Sequence, residues 1–264
     1  MSKAGFARNP VPTILTLPDG GTTTSAKETA KALLQKFFPD DSPSRDGAQH
    51  KNIRNQVAET KPPDTQAVPN FLPQEMDEVI RKLHDKKCPG PDGIDGPIVK
   101  RIHRILPSFW VTLMNKCLRL GCFFKAWKTA RVIAIPKTDK SKHHTVHGYR
   151  GISLLPITGK CLESLVVERL KSFLEVTGLI PPQQFGFTAG RSTVDAIQKV
   201  IESVTRGRTL GTKCCLVALD IAGTFDNTWH PAVLAKLREQ KCPLKHLPHH
   251  KGLSVKPESL NQNR

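Results

Sequence analysis

The sequence predicts an α+β fold, strands packed by helices, on three observations. Four stretches, 74–87, 98–120, 160–174 and 192–204, place apolar residues at helical spacing. Residues 131–155 form two β-rich runs around a polar, basic turn, which is the pattern of a hairpin. Cys214 to Ile221 is a near-continuous apolar run of the kind found in strands covered on both faces.

Taken in order, residues 1–25 read as coil, broken by Pro10, Pro12, Pro18 and the Asp19-Gly20-Gly21 turn. Ser25 is placed to cap a helix from Ala26 to Phe38, with Ala30, Leu33, Leu34, Phe37 and Phe38 on one side and Pro39 as its stop. Residues 39–70 are polar and Pro-rich, as in a linker, so 1–70 reads as a loosely ordered N-terminal segment. The helix Gln74 to Lys87 carries Met76, Val79, Ile80 and Leu83. Cys88 to Pro97 has six Gly or Pro in ten residues and is a shaped loop. Ile98 to Leu120 is helical with an interruption near Pro107. The hairpin pairs Arg131–Pro136 with Tyr149–Leu155 across a tip at Lys137–His147.

Lys160 to Leu174 is an amphipathic helix with Leu162, Leu165, Val166, Leu170, Phe173 and Leu174 on its apolar face. Ser192 and Asp195 read as a capping box opening a helix whose stripe, Val194, Ile197, Val200, Ile201 and Val204, is expected to be buried. The apolar strand at 214–221 and a short helix, Ala232 to Gln240, complete the ordered region 71–242. Beyond Pro243 the periodicity is lost, and 243–264 reads as an unrelated or disordered tail.

The charge narrows the function. Lys plus Arg outnumber Asp plus Glu by 40 to 23, a net +17, and such an excess favours a polyanion because phosphate contacts release bound counterions. Nucleic acid is the expected partner. Seven Cys without a framework, no apolar leader in Met1–Pro10 and no apolar run of membrane-spanning length point to a reduced, intracellular protein of nucleus or cytoplasm. Cys117 and Cys122 with His143, His144 and His147 match no standard zinc spacing.

The chemistry concentrates in Leu216-Val-Ala-Leu-Asp220-Ile-Ala-Gly-Thr-Phe-Asp226. A carboxylate at the end of a buried strand is costly unless its charge is used, and holding Mg²⁺ is one such use. Asp226 reads equally as the cap of the next helix.

Around this stretch stand Tyr149-Arg-Gly-Ile-Ser-Leu-Leu-Pro156, Gln184-Phe-Gly-Phe-Thr-Ala-Gly-Arg-Ser-Thr193 and, earlier, Cys88-Pro-Gly-Pro-Asp-Gly93. In order and spacing these blocks resemble the reverse transcriptases of non-LTR (LINE-type, jockey-like) retrotransposons, over roughly residues 15–242. The resemblance implies an RNA-directed DNA polymerase, a nucleotidyltransferase with right-hand fingers and a partial palm at 71–242, an incomplete antiparallel sheet packed by helices. Its partners would be an RNA template, a DNA primer and deoxynucleotide triphosphates, with Mg²⁺ as the metal of the intact enzyme. It implies that Asp220 is the first catalytic, metal-binding aspartate and that the Ile221 backbone adds an oxygen. Phe225 would lie under the sugar of the incoming nucleotide, or serve as core packing. Lys137 and Arg150 would meet its triphosphate, or form a solvated hairpin tip. Gln184, Gly186, Gly190 and Arg191 would shape the template-side loop, with a carboxylate inside the fold as the alternative partner for Arg191.

The sequence departs from the family at Gly151, where Pro is usual, at Thr224, where Ala is usual, and at Thr188-Ala189 in place of Arg-Pro. Together these look like drift in an old, unselected copy. After Asp226 the only acidic residues are Glu239 and Glu258, so the second carboxylate cluster that two-metal nucleotidyl transfer requires is missing. The expectation is a fragment truncated before that motif and inactive alone; a non-catalytic basic RNA-binding module or a functionless remnant is the alternative.

Overall fold

The computed structural model describes residues 12, 14–59, 69–221, 223–224, 228–243 and 254–255. It is a mixed helix-and-strand chain in two compact units, residues 1–167 with 225–264, and residues 168–224. In chain order the first unit contains α1 (Ala26–Phe37), α2 (Ala48–Glu59), α3 (Pro73–Arg81), α4 (Gly96–Ile105), α5 (Pro107–Leu120), β1 (Thr129–Pro136), β2 (Tyr149–Leu154) and the start of α6 (Ile157–Val176). The second unit holds the rest of α6 and α7 (Thr193–Thr209), while α8 (His230–Glu239) and β3 (Ser254–Val255) belong to the first.

The main core forms where the helical spacing of the sequence predicts it. Met76, Val79 and Ile80 of α3, Val99 of α4, Trp110, Met114, Cys117 and Leu118 of α5, and Ile157, Cys161, Leu162 and Leu165 of α6 make one buried cluster. Each large side chain so buried contributes on the order of 1.5–3 kcal/mol. A buried polar side chain, Asn115, adjoins it. Asn115 accepts the Phe71 amide at 2.6 Å and donates to the Phe71 carbonyl at 3.0 Å, fixing the chain as it enters α3. The Gly-Pro loop ends at Asp95, which caps α4 by accepting the Ile98 amide at 3.0 Å. Its Gly90 lies against the Leu155–Pro156 backbone, where a Cβ would stand 2.5 Å from the Pro156 nitrogen. The break at Pro107 is a helix start, with the ring at the first position of α5, where no amide donor is needed. Helix α3 stops at Arg81 rather than Lys87, because past Leu83 the residues are polar and have no apolar face to bury.

A second core joins α1 to the hairpin. Ser25 caps α1 as expected, accepting the Glu28 amide at 3.3 Å, and Leu33 and Phe37 pack with Leu15, Val132, Val146 and Tyr149. Strands β1 and β2 pair antiparallel with Ile133 opposite Ile152 and Ile135 opposite Arg150. Alternation along the pleat turns Ala130 and Val132 inward and Arg131, Ile133 and Ile135 outward. The two residues of β3 add a short parallel neighbour at Thr129 and Ala130.

Some expectations are corrected. The Pro-rich stretch read as a linker carries a 3-10 turn at Pro43–Arg45 and helix α2. Within 1–25, residues 15–23 are shaped rather than plain coil: Leu17 and Gly21 close a turn, and the Thr16 amide donates to the His144 carbonyl at 2.7 Å. The stripe of α7 is exposed rather than buried, and no strand forms at 214–221. A strand needs neighbours for its amides and carbonyls, and among the described residues none pairs with this segment. It remains coil, with Leu216, Val217, Leu219 and Ile221 between 69% and 90% exposed. The tail reading for 243–264 lies largely outside the described residues.

Candidate active site

The hairpin positions Lys137 and Arg150. The Lys137 amide donates to the Gly148 carbonyl at 2.8 Å and closes the hairpin just past the last strand pair. Arg150 lies opposite Ile135 on the outward face and is exposed; Lys137 is half-buried. The tip between them is built rather than loose. Asp139 accepts the Ser141 amide at 3.1 Å and hydroxyl at 2.5 Å and pairs with Lys142 at 3.0 Å. His143 Nε2 meets the Lys137 carbonyl at 2.7 Å, and the Tyr149 hydroxyl donates to the His143 carbonyl at 3.0 Å. The Ser141 hydroxyl, then Lys142, hold the Asp139 carboxyl down at about 2. From 137 to 150 that one carboxylate is outnumbered by Lys137, Lys140, Lys142 and Arg150, so the tip keeps net positive charge in a fixed frame.

In the second unit, Arg191 Nη1 donates to the carbonyls of Pro181, Pro182 and Gln184 at 2.9, 2.9 and 2.7 Å. Its partner is thus the loop backbone, where the sequence left open a template contact or a carboxylate. Gln184 folds back on the same loop, donating to the Gly186 carbonyl at 2.8 Å. Gly190 turns the chain with a φ of +72°. Next, Ser192 and Asp195 form the expected capping box at 2.7 and 3.2 Å, and the Ser192 bonds hold the Asp195 carboxyl below its ordinary range.

Asp220 and Ile221 lie in the exposed coil, and the Thr224 hydroxyl donates to the Ile221 carbonyl at 2.8 Å. Phe225 and Asp226 fall outside the described residues. Mg²⁺ takes octahedral oxygen ligands with one or two carboxylates among them. Among the described residues no three His, Cys, Asp or Glu side chains gather as a metal site, and the carbonyl of Ile221 already accepts a hydroxyl. The described residues supply part of a magnesium site, in which Asp220 and the Ile221 carbonyl would be two of the oxygens. Among these residues, the sequence reading did not single out Asp139, although Asp-x-Ser at a turn is a recognisable signal for a carboxylate that organises local backbone.

The profile described as reverse transcriptase (RNA-dependent DNA polymerase) matches residues 135–263, from the end of β1 onward. A 115 kDa protein of the type-1 retrotransposable element R1DM of Drosophila melanogaster is 32% identical over 228 residues, 85% of this chain. The chain belongs to the reverse transcriptases of jockey-like, non-LTR retrotransposons. The Pol polyprotein of element R1 from Bradysia coprophila is 32% identical over 88% of the chain, and the RNA-directed DNA polymerase of mobile element jockey from Drosophila funebris is 36% identical over 64%. The chain spans about a fifth of the length of these relatives, 20%, 22% and 18% respectively.

Proposed function

We propose that residues 71–242 are the fingers and first palm segment of a retrotransposon RNA-directed DNA polymerase, and that this chain alone does not polymerise nucleotides. The observation that carries the second part is the isolation of Asp220. It stands in exposed coil, no carboxylate cluster accompanies it among the described residues, and Glu239 and Glu258 are the only acids after Asp226. Nucleotidyl transfer needs electrostatic stabilisation on both the attacking and the leaving oxygen, and one carboxylate does not organise it.

In the complete enzyme Asp220 would be the catalytic carboxylate, and it and the Ile221 carbonyl would supply two of the oxygens that hold Mg²⁺. Phe225 lies against the nucleotide sugar, and Lys137 and Arg150 neutralise the triphosphate. The loop of Gln184, Gly190 and Arg191 borders the template. RNA, DNA primer and deoxynucleotide triphosphates are the substrates, inside the cell. The exposed Arg150 and the prebuilt basic tip support the phosphate role.

The test is primer extension on an RNA template with Mg²⁺, comparing this chain with Asp220→Asn. No product from either protein is expected. Product from the unsubstituted chain alone would overturn the inactivity and establish Asp220 as catalytic. The net charge of +17 also supports a non-catalytic RNA-binding role; RNA affinity that falls steeply with salt, without extension, is its result.

A further inference from the structure

We propose that residues 41–59 form an intramolecular clasp that grips Trp229 and thereby anchors the start of α8. The inference is independent of the polymerase reading. Helix α2 has no fully buried residue, and its Ile53 and Val57 are only half-buried, so apolar burial gives it a partial hold. Polar grips on one aromatic ring supply more.

Arg54 donates to the carboxylates of Asp41 and Asp46, with a 3.0 Å bond from Nη1 to Asp41 among them. Its guanidinium carbon lies 5.2 Å from the centre of the Trp229 ring. The indole Nε1–H donates to Asp41 at 3.2 Å, so the same carboxylate serves both partners. His50 of α2 meets the indole edge-on, with ring centres 4.8 Å apart and planes at 73°. Further along α8, Arg238 donates to the Val57 carbonyl. The Arg54 bonds, and then the Trp229 bond, hold the Asp41 carboxyl below its ordinary range.

An exposed ion pair alone contributes little. Here the guanidinium is oriented by two carboxylates and lies within cation–π distance of the ring, so each contact fixes the geometry of the next. Trp229 stands three residues after Asp226 in the sequence. The segment before residue 60 therefore anchors the chain just beyond the carboxylate motif, which makes it a working part of the first unit rather than a separable leader.

The test is peptide-resolved amide hydrogen exchange on the full chain. Arg54→Ala should speed exchange in 232–241 by about two- to fivefold, the effect of removing one cation–π interaction, while the α5 amides at 110–118 keep their rates. Arg54→Lys should fall between, because a single ammonium does not bridge both carboxylates. Unchanged α8 exchange in Arg54→Ala overturns the clasp. An equal rise in α5 does so too, since it reports loss of the whole fold. Trp229→Phe, which keeps a ring and deletes the Nε1 donor, should give a smaller rise confined to α8; no rise there would also count against the proposal.

Discussion

Gly151 stands where the family usually carries proline, and its environment makes a quantitative prediction. A Cβ at this position would lie 2.6 Å from Phe37 Cδ2 and 2.8 Å from Cγ. Carbon atoms in contact prefer about 3.5–4.0 Å, so Gly151→Ala forces roughly 1 Å of displacement on the ring. Phe37 is 5% exposed and closes the core between α1 and the hairpin. Overpacking of this kind costs about 1–3 kcal/mol. Removing a glycine from a strand returns about 0.5–1 kcal/mol, so the net loss centres on about 1 kcal/mol. Proline should cost more than alanine, since its ring adds atoms on the same side. Urea unfolding followed by circular dichroism reads the loss, and amide exchange in α1 locates it. Phe37→Leu should reduce the penalty of Gly151→Ala when the two are combined, because the clashing ring is gone. Gly151→Ala with undiminished stability, or unchanged α1 exchange, would refute the packing argument. The glycine, read in the sequence as a sign of drift, has a structural reason in the ring above it.

Three further outcomes are expected. Asn115→Ala removes both bonds to the Phe71 backbone inside the main core and should destabilise by about 2–4 kcal/mol in urea unfolding, where a loss under about 1 kcal/mol would contradict the role given to Asn115. The Asp139 carboxyl should titrate near 2 by NMR. Its folded value is depressed, so its contribution to tip order is present above the ordinary carboxyl pKa of about 4 and disappears as pH falls through about 2; Ser141→Ala should move the midpoint upward. Alkylation of the native chain should label exposed Cys88, Cys122, Cys214 and Cys215 first and leave Cys161 unmodified until unfolding, because burial pushes its thiol up to about 12. That thiol also favours folding below the unfolded pKa of about 8.5, an effect lost as pH climbs toward about 12.

Much of the local structure was legible because its signals are local. Ser25 and Ser192 announced their helices through side chains that reach amides three residues on. Met76, Val79 and Ile80, and the inward and outward residues of β1, follow from the periods of helix and strand. The motif blocks identified the family without any geometry. The second unit shows where such reasoning fails. The stripe of α7 and the run at 214–221 have the composition of buried elements, yet composition states only what would be favourable to cover. Whether a covering surface exists is a property of the rest of the fold, and here both are exposed.

The sequence by itself determined the family, the basic hairpin, the helix starts and the shortage of carboxylates beyond Asp226. Each depends on residue identity or on contacts within a few positions. The tertiary structure alone decided the fit of Gly151 beneath Phe37, the hold of Asn115 on Phe71, the turn of Arg191 onto its own loop, and the meeting of Asp41 and Arg54 with Trp229. Asp41 and Trp229 lie 188 positions apart. No local pattern encodes such a pairing, because it forms only once the intervening chain has packed and brought the two ends together.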